Sequence, residues 1–433
     1  MNAPSSRRAP GHLVLAAIVV VAFLVRLAAV LAIEVDPRVG WHFDMTWYDG
    51  VARRLLKGWG YIGVDGAPTA AWPPGYPVFL AAVYAVFGPS LLAAKVANAL
   101  LGAATTLVTY LIACEIRRPA VGIVAAAIVA LFPGHVLFAP ALLSEALFGL
   151  LFCAALWLFL RVHRRDRAGA RSWLGLGAFL GAISLVRGVG FFLLPVFAST
   201  RLLEGASWRS TARLTLAGAA GIALALAPWT LRNHLRLGYP ILIASDGAFS
   251  LYVGNSPIAT GGHTLDMRDP LMAHFGELLA LPPPRAEVEV ARAQIREALA
   301  WMATHPHRVV ALAPVKVYHM YRDDRGARSW IRQGLARRLS PAAERWLFRI
   351  VDAYWFAVLA LALAGARRFL PRDGPGAVAL PLTVAWMTAA HAVFFFGSSR
   401  FHVPLVPVLS VMAAAEILGW ARRLRGPATP RTA

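Results

Sequence analysis

Asp44, Asp49 and Asp65 stand among aromatics and glycines in the stretch from Gly40 to Pro77, GWHFDMTWYDGVARRLLKGWGYIGVDGAPTAAWPPGYP. A carboxylate in such surroundings is a candidate general base rather than packing filler. Isolated basic residues, Arg187, Arg232, Arg400 and His402, occur far from it in sequence, each next to an apolar run. Moving a group from a lipid phosphate requires a base near an acceptor hydroxyl and cations around the departing phosphate. Asp44 with Arg187, Arg232 or Arg400 supplies those side-chain types, and His402 is suited to orient phosphate or acceptor. Each arginine taken singly fits a plainer role, anchoring the end of a span to lipid headgroups. As a set they point to a site.

The elements that must position these residues are membrane helices. The chain has 433 residues, 58% of them hydrophobic and 15% charged, with a mean hydropathy of +0.59; an ordinary soluble domain carries more charge and less apolar surface. Lys and Arg outnumber Asp and Glu by 43 to 22, for a net charge of +21. The basic residues lie in short segments between apolar runs, so membrane orientation explains them better than nucleic acid does. Cys114 and Cys153 both fall inside apolar runs and form neither a disulfide framework nor a zinc spacing. The expected fold is an all-α polytopic membrane protein with about ten transmembrane helices, interfacial helices and a long external loop.

In chain order, a short N-terminus with Arg7 and Arg8 precedes a retained first span, His12 to Ile33, which holds Arg26. Arg26 either snorkels or faces another helix, or it binds substrate. The Asp44 stretch opens as a short helix with Tyr48, Val51, Ala52, Leu55 and Leu56 on one face and Arg53, Arg54 and Lys57 on the other, closed by Gly58 and Gly60. Tyr76 to Phe87 is too short to span and is read as interfacial. Spans follow at Leu91 to Ile116, Pro119 to Ala139 and Ala146 to Leu160, with a tight turn at Pro140 to Glu145 and a basic loop at Arg161 to Arg171. Ser172 to Leu203 would be roughly 48 Å long as one helix, so it reads as a hairpin turning at Arg187 and Gly188. Its glycines Gly175, Gly177 and Gly181 lie in an apolar helix and suit close helix packing, not a nucleotide loop. A further span covers Thr211 to Thr230. Three more, at Glu344 to Ala364, Gly376 to Phe396 and Phe401 to Ala421, close the chain before a basic tail.

Three regions result: residues 1–230 as an N-terminal transmembrane module with the catalytic loop at 34–77, residues 231–343 as a long external region, and residues 344–433 as C-terminal helices and tail. Val288, Ala291, Ile295, Ala298 and Met302 mark a helix over Arg285 to Thr304 in the long region. His307 to Tyr321, interrupted by Pro314, is kept on the loop side. Both termini are then cytoplasmic, and the Asp44 stretch, Glu145, Arg187, the long loop and Arg400 share the opposite face.

Asp44 followed by Tyr48, Ala52, Leu55, Gly58, Gly60 and Tyr61, then Pro73-Pro74-Gly75-Tyr76-Pro77, resembles the first external loop of GT-C membrane glycosyltransferases. The nearest likeness is to the protein O-mannosyltransferase and lipid A aminoarabinose transferase group, with the bacterial enzymes that modify lipopolysaccharide. The resemblance continues through Ser144-Glu145, Leu185-Val186-Arg187, Pro228-Trp229-Thr230-Leu231-Arg232-Asn233, Gly254-Asn255-Ser256-Pro257 and Ser399-Arg400-Phe401-His402-Val403-Pro404, and so covers most of the chain. It implies direct inverting transfer from a polyprenyl-phosphate sugar donor to a glycolipid, glycan or protein acceptor on the external face of a bacterial inner membrane. By position, Asp44 matches the general base and Glu145 the second-loop acid. Arg187, Arg232, Arg400 and His402 form the donor-phosphate set, and Asp49, Tyr48, Tyr61, Trp72 and Asn255 the sugar or acceptor set. Many relatives carry Asp-Glu where this chain has Asp44-Met45. A divalent cation as cofactor therefore rests on Asp49 as substitute, and Asp49 is otherwise a solvated residue of a helix start.

Trp47, Tyr61 and Trp72 either stack on sugar faces or anchor the interface. His305 and His307 have no partner at metal-ligand spacing and read as ordinary loop residues. A transporter or lipid-carrier translocase is the alternative from another class; it predicts ionisable residues at mid-membrane depth and paired broken helices. A non-catalytic assembly protein is a third reading, under which Asp44 is replaceable.

Overall fold

The computed structural model describes residues 9–38, 43–116, 118–164, 169–263 and 268–424. Arg7, Arg8, residues 39–42 at the start of the Asp44 stretch, Arg117, residues 165–168 of the first basic loop and the tail after Leu424 lie outside them. Among the described residues every regular element is helical, with isolated bridges at Ile62–Pro68 and Gly262–Gly397.

The first half contains α1 (Ala9–Ala32), α2 (Phe43–Leu56), α3 (Gly75–Phe87), α4 (Leu91–Glu115), α5 (Pro119–Ala130), α6 (Pro133–Phe138), α7 (Glu145–Arg164), α8 (Ala170–Ser184), α9 (Leu193–Leu203) and α10 (Trp208–Leu237). The long region carries α11 (Asp246–Gly254), α12 (Arg268–Leu279), α13 (Arg285–Thr304), α14 (Pro306–Tyr321) and α15 (Arg328–Ala336). The chain closes with α16 (Pro341–Gly365), α17 (Ala379–Phe394) and α18 (Val406–Leu424). Among the described residues six helices are long and apolar enough to cross a membrane: Gly11–Ala32, Leu91–Glu115, Glu145–Arg164, Trp208–Leu237, Pro341–Arg368 and Ser399–Leu424. The other four expected spans are the shorter helices α5, α8, α9 and α17. The protein is thus an all-α polytopic membrane protein. The Ser399–Leu424 span lies at its centre, 83% of its apolar window buried inside the protein against 22% for the first span.

One expected span is broken. Pro119 to Ala139 reads as continuous in the sequence, but Pro133 has no N–H and pushes the residue before it out of helical geometry. Phe132 is accordingly extended, at φ −64° and ψ 111°, and α6 starts anew at Pro133. The break leaves carbonyls at the end of α5 without helical partners. Arg26, 1% exposed, collects them: Nη1 donates to Ala130 O and Nη2 to Val129 O, both at 3.0 Å. Arg26 therefore takes the helix-facing role of its two readings.

Close helix approach follows the glycines. A Cβ on Gly177 would run into the Gly218 carbonyl, and one on Gly181 would stand 2.7 Å from Ala225 Cβ, so α8 and α10 cross nearly backbone to backbone; Gly175 faces open space instead. At 30 residues α10 is about 45 Å long, more than the roughly 30 Å hydrocarbon core. Its excess carries Arg232 and Asn233 up to the first loop.

The first loop is pinned on the α8–α9 turn. Gly75 N–H donates to Leu185 O at 2.7 Å, and a Cβ there would sit 2.6 Å from Val186 Cγ2 and 2.8 Å from Leu185 O. Only glycine admits this approach between the Pro73-Pro74-Gly75 segment and the turn that carries Arg187. On the other side α2 buries Met45, Trp47, Tyr48, Asp49, Val51 and Ala52 and ends at Gly58, whose φ of +75° reverses the chain.

Candidate active site

Four side chains from four separate elements meet in one chain of ion pairs. Asp44 lies in the first turn of α2 and Glu145 opens α7, so both carboxylates sit where the helix dipole favours negative charge. Arg187 lies in the turn between α8 and a 3₁₀ helix at Gly188–Phe192. Arg400 lies in the 3₁₀ helix Ser399–Leu405 that leads into α18. Arg400 Nη1 donates to Asp44 Oδ2 at 2.8 Å, Arg400 Nε donates to Glu145 Oε1, and Arg187 Nη1 reaches the same Glu145 oxygen at 2.6 Å. The order Asp44–Arg400–Glu145–Arg187 is a line of alternating charge.

The members of that line differ in depth. The Glu145 side chain is 2% exposed, whereas those of Asp44, Arg400 and Arg187 are 18–19% exposed. Glu145 therefore acts as the buried anchor, and a planar guanidinium is the group able to hold it and Asp44 at once. Trp330 lies under the Arg400 guanidinium at 5.1 Å and Phe148 flanks Arg187 at 5.8 Å. Among the described residues Arg400 Nη2 and Arg187 Nε and Nη2 donate no hydrogen bond, which leaves three N–H-bearing atoms for an incoming anion. Tyr48, one turn after Asp44, is buried edge-on to Tyr76 at 5.1 Å. Burial, with the Asp44 charge added, pushes its phenol well above the ordinary range.

Several residues expected at the site are spent elsewhere. Arg232 Nη1 donates to Thr69 O at 2.7 Å, and its Nη2 donates to Tyr61 O, so it ties α10 to the first loop instead of joining Arg187 and Arg400. His402 is fully buried; Nδ1–H donates to Met320 O at 2.6 Å, Nε2 meets Asp324 Oδ1 at 3.1 Å, and the ring stacks on Trp355 at 4.0 Å. Neither ring nitrogen is left for phosphate. Asn255 is likewise fully buried, donating to Leu251 O and Phe394 O and accepting from Lys316 Nζ at 3.0 Å. Asp49 is 3% exposed, not solvated; it accepts from Tyr84 OH at 2.6 Å and Arg53 Nε at 2.9 Å and so fastens α2 to α3. Asp65 accepts from Ala67 N–H at 3.0 Å within a turn. Tyr61 is buried, its hydroxyl donating to Trp72 O at 2.8 Å and its ring edge-on to Trp229. Trp72 is half-buried, its ring 4.6 Å from Trp47 and 5.3 Å from Phe43. Of the aromatics expected at sugar, it is the one left partly open beside Asp44.

A divalent cation does not fit these donors. Met45, in place of a second loop acid, is buried in the core, and Asp49 faces Tyr84 and Arg53. Asp44 and Glu145 are paired to guanidinium groups, and among the described residues no three His, Cys, Asp or Glu side chains gather as a metal's ligands.

Sequence reasoning misses two acids of the long region. Glu287 on α13 accepts from Thr69 Oγ1 at 2.6 Å, Ala70 N–H at 2.8 Å and Ser245 Oγ at 3.0 Å, which locks the long region onto the first loop. Burial raises its carboxyl even though these bonds favour the charged form. Asp246 opens α11, and its signal is Ser245-Asp246 ahead of the apolar run from Ala248 to Val253. Burial beside Asp44 raises its carboxyl to about 7, against the pull of Arg187 and Arg400.

Residues 71–231 match the sequence pattern of the dolichyl-phosphate-mannose-protein mannosyltransferase family. No curated protein sequence matches the chain. The oligosaccharyltransferase of Archaeoglobus fulgidus, solved without ligand, superposes with a TM-score of 0.57 at 17% identity, over 99% of this chain and 53% of that one. The oligosaccharyltransferase AglB from the same archaeon, in complex with an inhibitory peptide and a dolichol-phosphate, gives 0.54 at 16% identity, over 99% and 53%. ArnT from Cupriavidus metallidurans in the apo state gives 0.57 at 14% identity, over 95% of this chain and 62% of that one. The chain thus spans about half to three-fifths of the length of these solved proteins, and at such identities the likeness concerns the fold. Its helices are arranged as in these enzymes, and this chain shares their fold.

Proposed function

We propose that the protein is a membrane glycosyltransferase that moves a sugar from a polyprenyl-phosphate donor to a glycolipid, glycan or protein acceptor on the outer face of a bacterial inner membrane, with inversion. The observation that carries this reading is the Arg400 guanidinium, which holds Asp44 at 2.8 Å while its Nη2 donates no hydrogen bond among the described residues. One residue thereby joins a base for the acceptor to a binding group for the leaving phosphate. The donor's lipid tail lies along the spans, and its phosphate takes the free donors of Arg187 and Arg400. The sugar rests in the space under the long region, beside the partly open Trp72.

Asp44 takes the acceptor's hydroxyl proton as the oxygen attacks the anomeric carbon. The bond from that carbon to the phosphate oxygen breaks, and the arginines stabilise the charge that collects on the phosphate. Glu145 holds both arginines in place and touches neither reactant. The archaeal relative's complex with a dolichol-phosphate and the mannosyltransferase pattern over residues 71–231 support a polyprenyl-linked donor. The position of the ionisable cluster favours an enzyme over a transporter: Glu145 and Arg400 lie at the starts of spans and Arg187 in a turn, none of them at mid-span. Mass spectrometry of envelope glycolipids and glycoproteins from cells with and without the protein tests the reading. A saccharide-sized mass increment that depends on the protein is expected, and identical profiles overturn it.

A further inference from the structure

Asp324 and His402 form a buried pair behind Arg400, separate from the line of ion pairs through Asp44 and Glu145. His402 stands two residues after Arg400 in the 3₁₀ helix Ser399–Leu405, and both its ring nitrogens are held, Nδ1–H by Met320 O at 2.6 Å and Nε2 by Asp324 Oδ1 at 3.1 Å. The ring lies flat on Trp355, 4.0 Å away with 7° between the planes, and Trp355 Nε1 donates to Tyr321 O at 2.9 Å. Asp324 belongs to the segment 322–327 that joins α14 to α15. That segment is fixed in turn from α16, where Asp352 accepts from Asp324 N–H at 3.2 Å and from Arg325 Nε at 2.8 Å. The same segment touches Arg400 directly. A Cβ on Gly326 would stand 3.2 Å from Arg400 Cα and 3.3 Å from its nitrogen, and Trp330, four residues on, lies 5.1 Å under the guanidinium. The break at Pro133 brings α6 against the pair: a Cβ on Gly134 would run into the Asp324 carboxyl, and His135 Nε2–H donates to Val403 O at 2.9 Å. A 3₁₀ helix of seven residues with Pro404 inside it has weak hydrogen bonding of its own. Its course therefore depends on the groups that grip it.

We infer that the Asp324–His402 pair positions Arg400: by fixing the 3₁₀ helix at His402 it holds the guanidinium where one side chain meets both Asp44 and Glu145. This rests on the glycosyltransferase reading above. The two carboxylates that Arg400 bridges lie on α2 and α7, so the guanidinium must be set between them from its own side, and the pair does this. Apolar side chains of similar volume would fill the same space, but a hydrogen bond fixes direction as well as distance. A displacement of about 1 Å at Arg400 costs on the order of 10²-fold in rate. Asp324 and His402 touch neither donor nor acceptor. They are positioning residues, and through them the long region acts on the reaction.

Asp324→Ala removes the partner of His402 Nε2, and Asp324→Asn puts back an atom able to bond to it. Full-length protein in proteoliposomes is assayed with polyprenyl-phosphate-linked hexose and pentose donors and, as acceptor, envelope glycolipid from cells lacking the protein. Release of polyprenyl phosphate is read per folded molecule. The kcat of Asp324→Ala should fall about 10²-fold, and Asp324→Asn should recover about tenfold of that loss. In the Arg400→Lys background Asp324→Ala should cost no more than about twofold in kcat, because the group it positions is gone. A pair that only stabilises the fold lowers Tm and leaves kcat per folded molecule unchanged. Wild-type kcat in Asp324→Ala, or losses that multiply with those of Arg400→Lys, overturns the inference while leaving the transferase reading intact. Gly326→Ala decides the matter if Asp324→Ala does not fold. Its Cβ presses on the Arg400 backbone and unpairs no buried charge, so kcat should fall about tenfold in a folded protein, and a wild-type kcat overturns the inference. No turnover by the wild type with any donor removes the transferase reading and the inference with it.

Discussion

Replacing Arg400 by lysine separates geometry from charge at the centre of the site. The guanidinium serves two carboxylates at once, Nη1 to Asp44 at 2.8 Å and Nε to Glu145, whereas an ammonium is a point donor on a flexible stem. Glu145 is the more deeply buried acid, so the substituted ammonium is expected to keep Glu145 and release Asp44. The loss is one charge-assisted hydrogen bond, about 1.5–3 kcal/mol. The cost stays below the roughly 3–5 kcal/mol of an orphaned buried charge, because Arg187 still holds Glu145 at 2.6 Å. Detergent-solubilised Arg400→Lys should then melt roughly 2–5 °C lower than wild type. Catalysis should suffer more than folding, since a base displaced by about 1 Å costs on the order of 10²-fold in rate. In a double-mutant cycle with Asp44→Asn, the second substitution should cost almost nothing in stability in the Arg400→Lys background. An Arg400→Lys protein with the wild-type Tm and rate, or strictly additive effects with Asp44→Asn, refutes the bridging role.

Two further substitutions probe the frame around the site. Gly75→Ala places a Cβ 2.8 Å from Leu185 O, so a loss of about 1–3 kcal/mol is expected, read as a lower Tm with a weakened hold on the turn carrying Arg187. Glu287→Gln keeps one acceptor oxygen but weakens the joint to Thr69, Ala70 and Ser245; faster amide exchange at residues 69–71 and 245–246 is expected, with helices α16 to α18 unchanged.

The spans and the meeting of Asp44, Glu145, Arg187 and Arg400 were legible in the sequence for one physical reason. Each of these residues lies in a segment that joins two apolar runs or at the end of one, and alternating the runs across a bilayer brings those segments to one face. What the sequence did not disclose is which polar groups the fold would claim for itself. Arg232 and Arg400 look alike as basic residues near span ends, yet two loop carbonyls consume one and two carboxylates hold the other. His402 and Asn255 fall in segments whose sequence resembles glycosyltransferases, but their partners Met320, Asp324 and Lys316 come from 61–82 residues away and leave them buried. Glu287 reaches the first loop across 217–218 residues, a contact that helical periodicity cannot announce. Pro133 could have been read as a break, since a proline inside an apolar run ends a helix whatever the composition of its flanks.

The most direct test of the central claim is transfer by purified protein in proteoliposomes loaded with a polyprenyl-phosphate-linked sugar and envelope glycolipid acceptor, comparing wild type with Asp44→Asn. The asparagine variant should fold, bind donor and release at most about 1% of the polyprenyl phosphate that wild type releases. Release at the wild-type rate would mean that Asp44 takes no proton, and the site built around Arg400 would not be the catalytic centre.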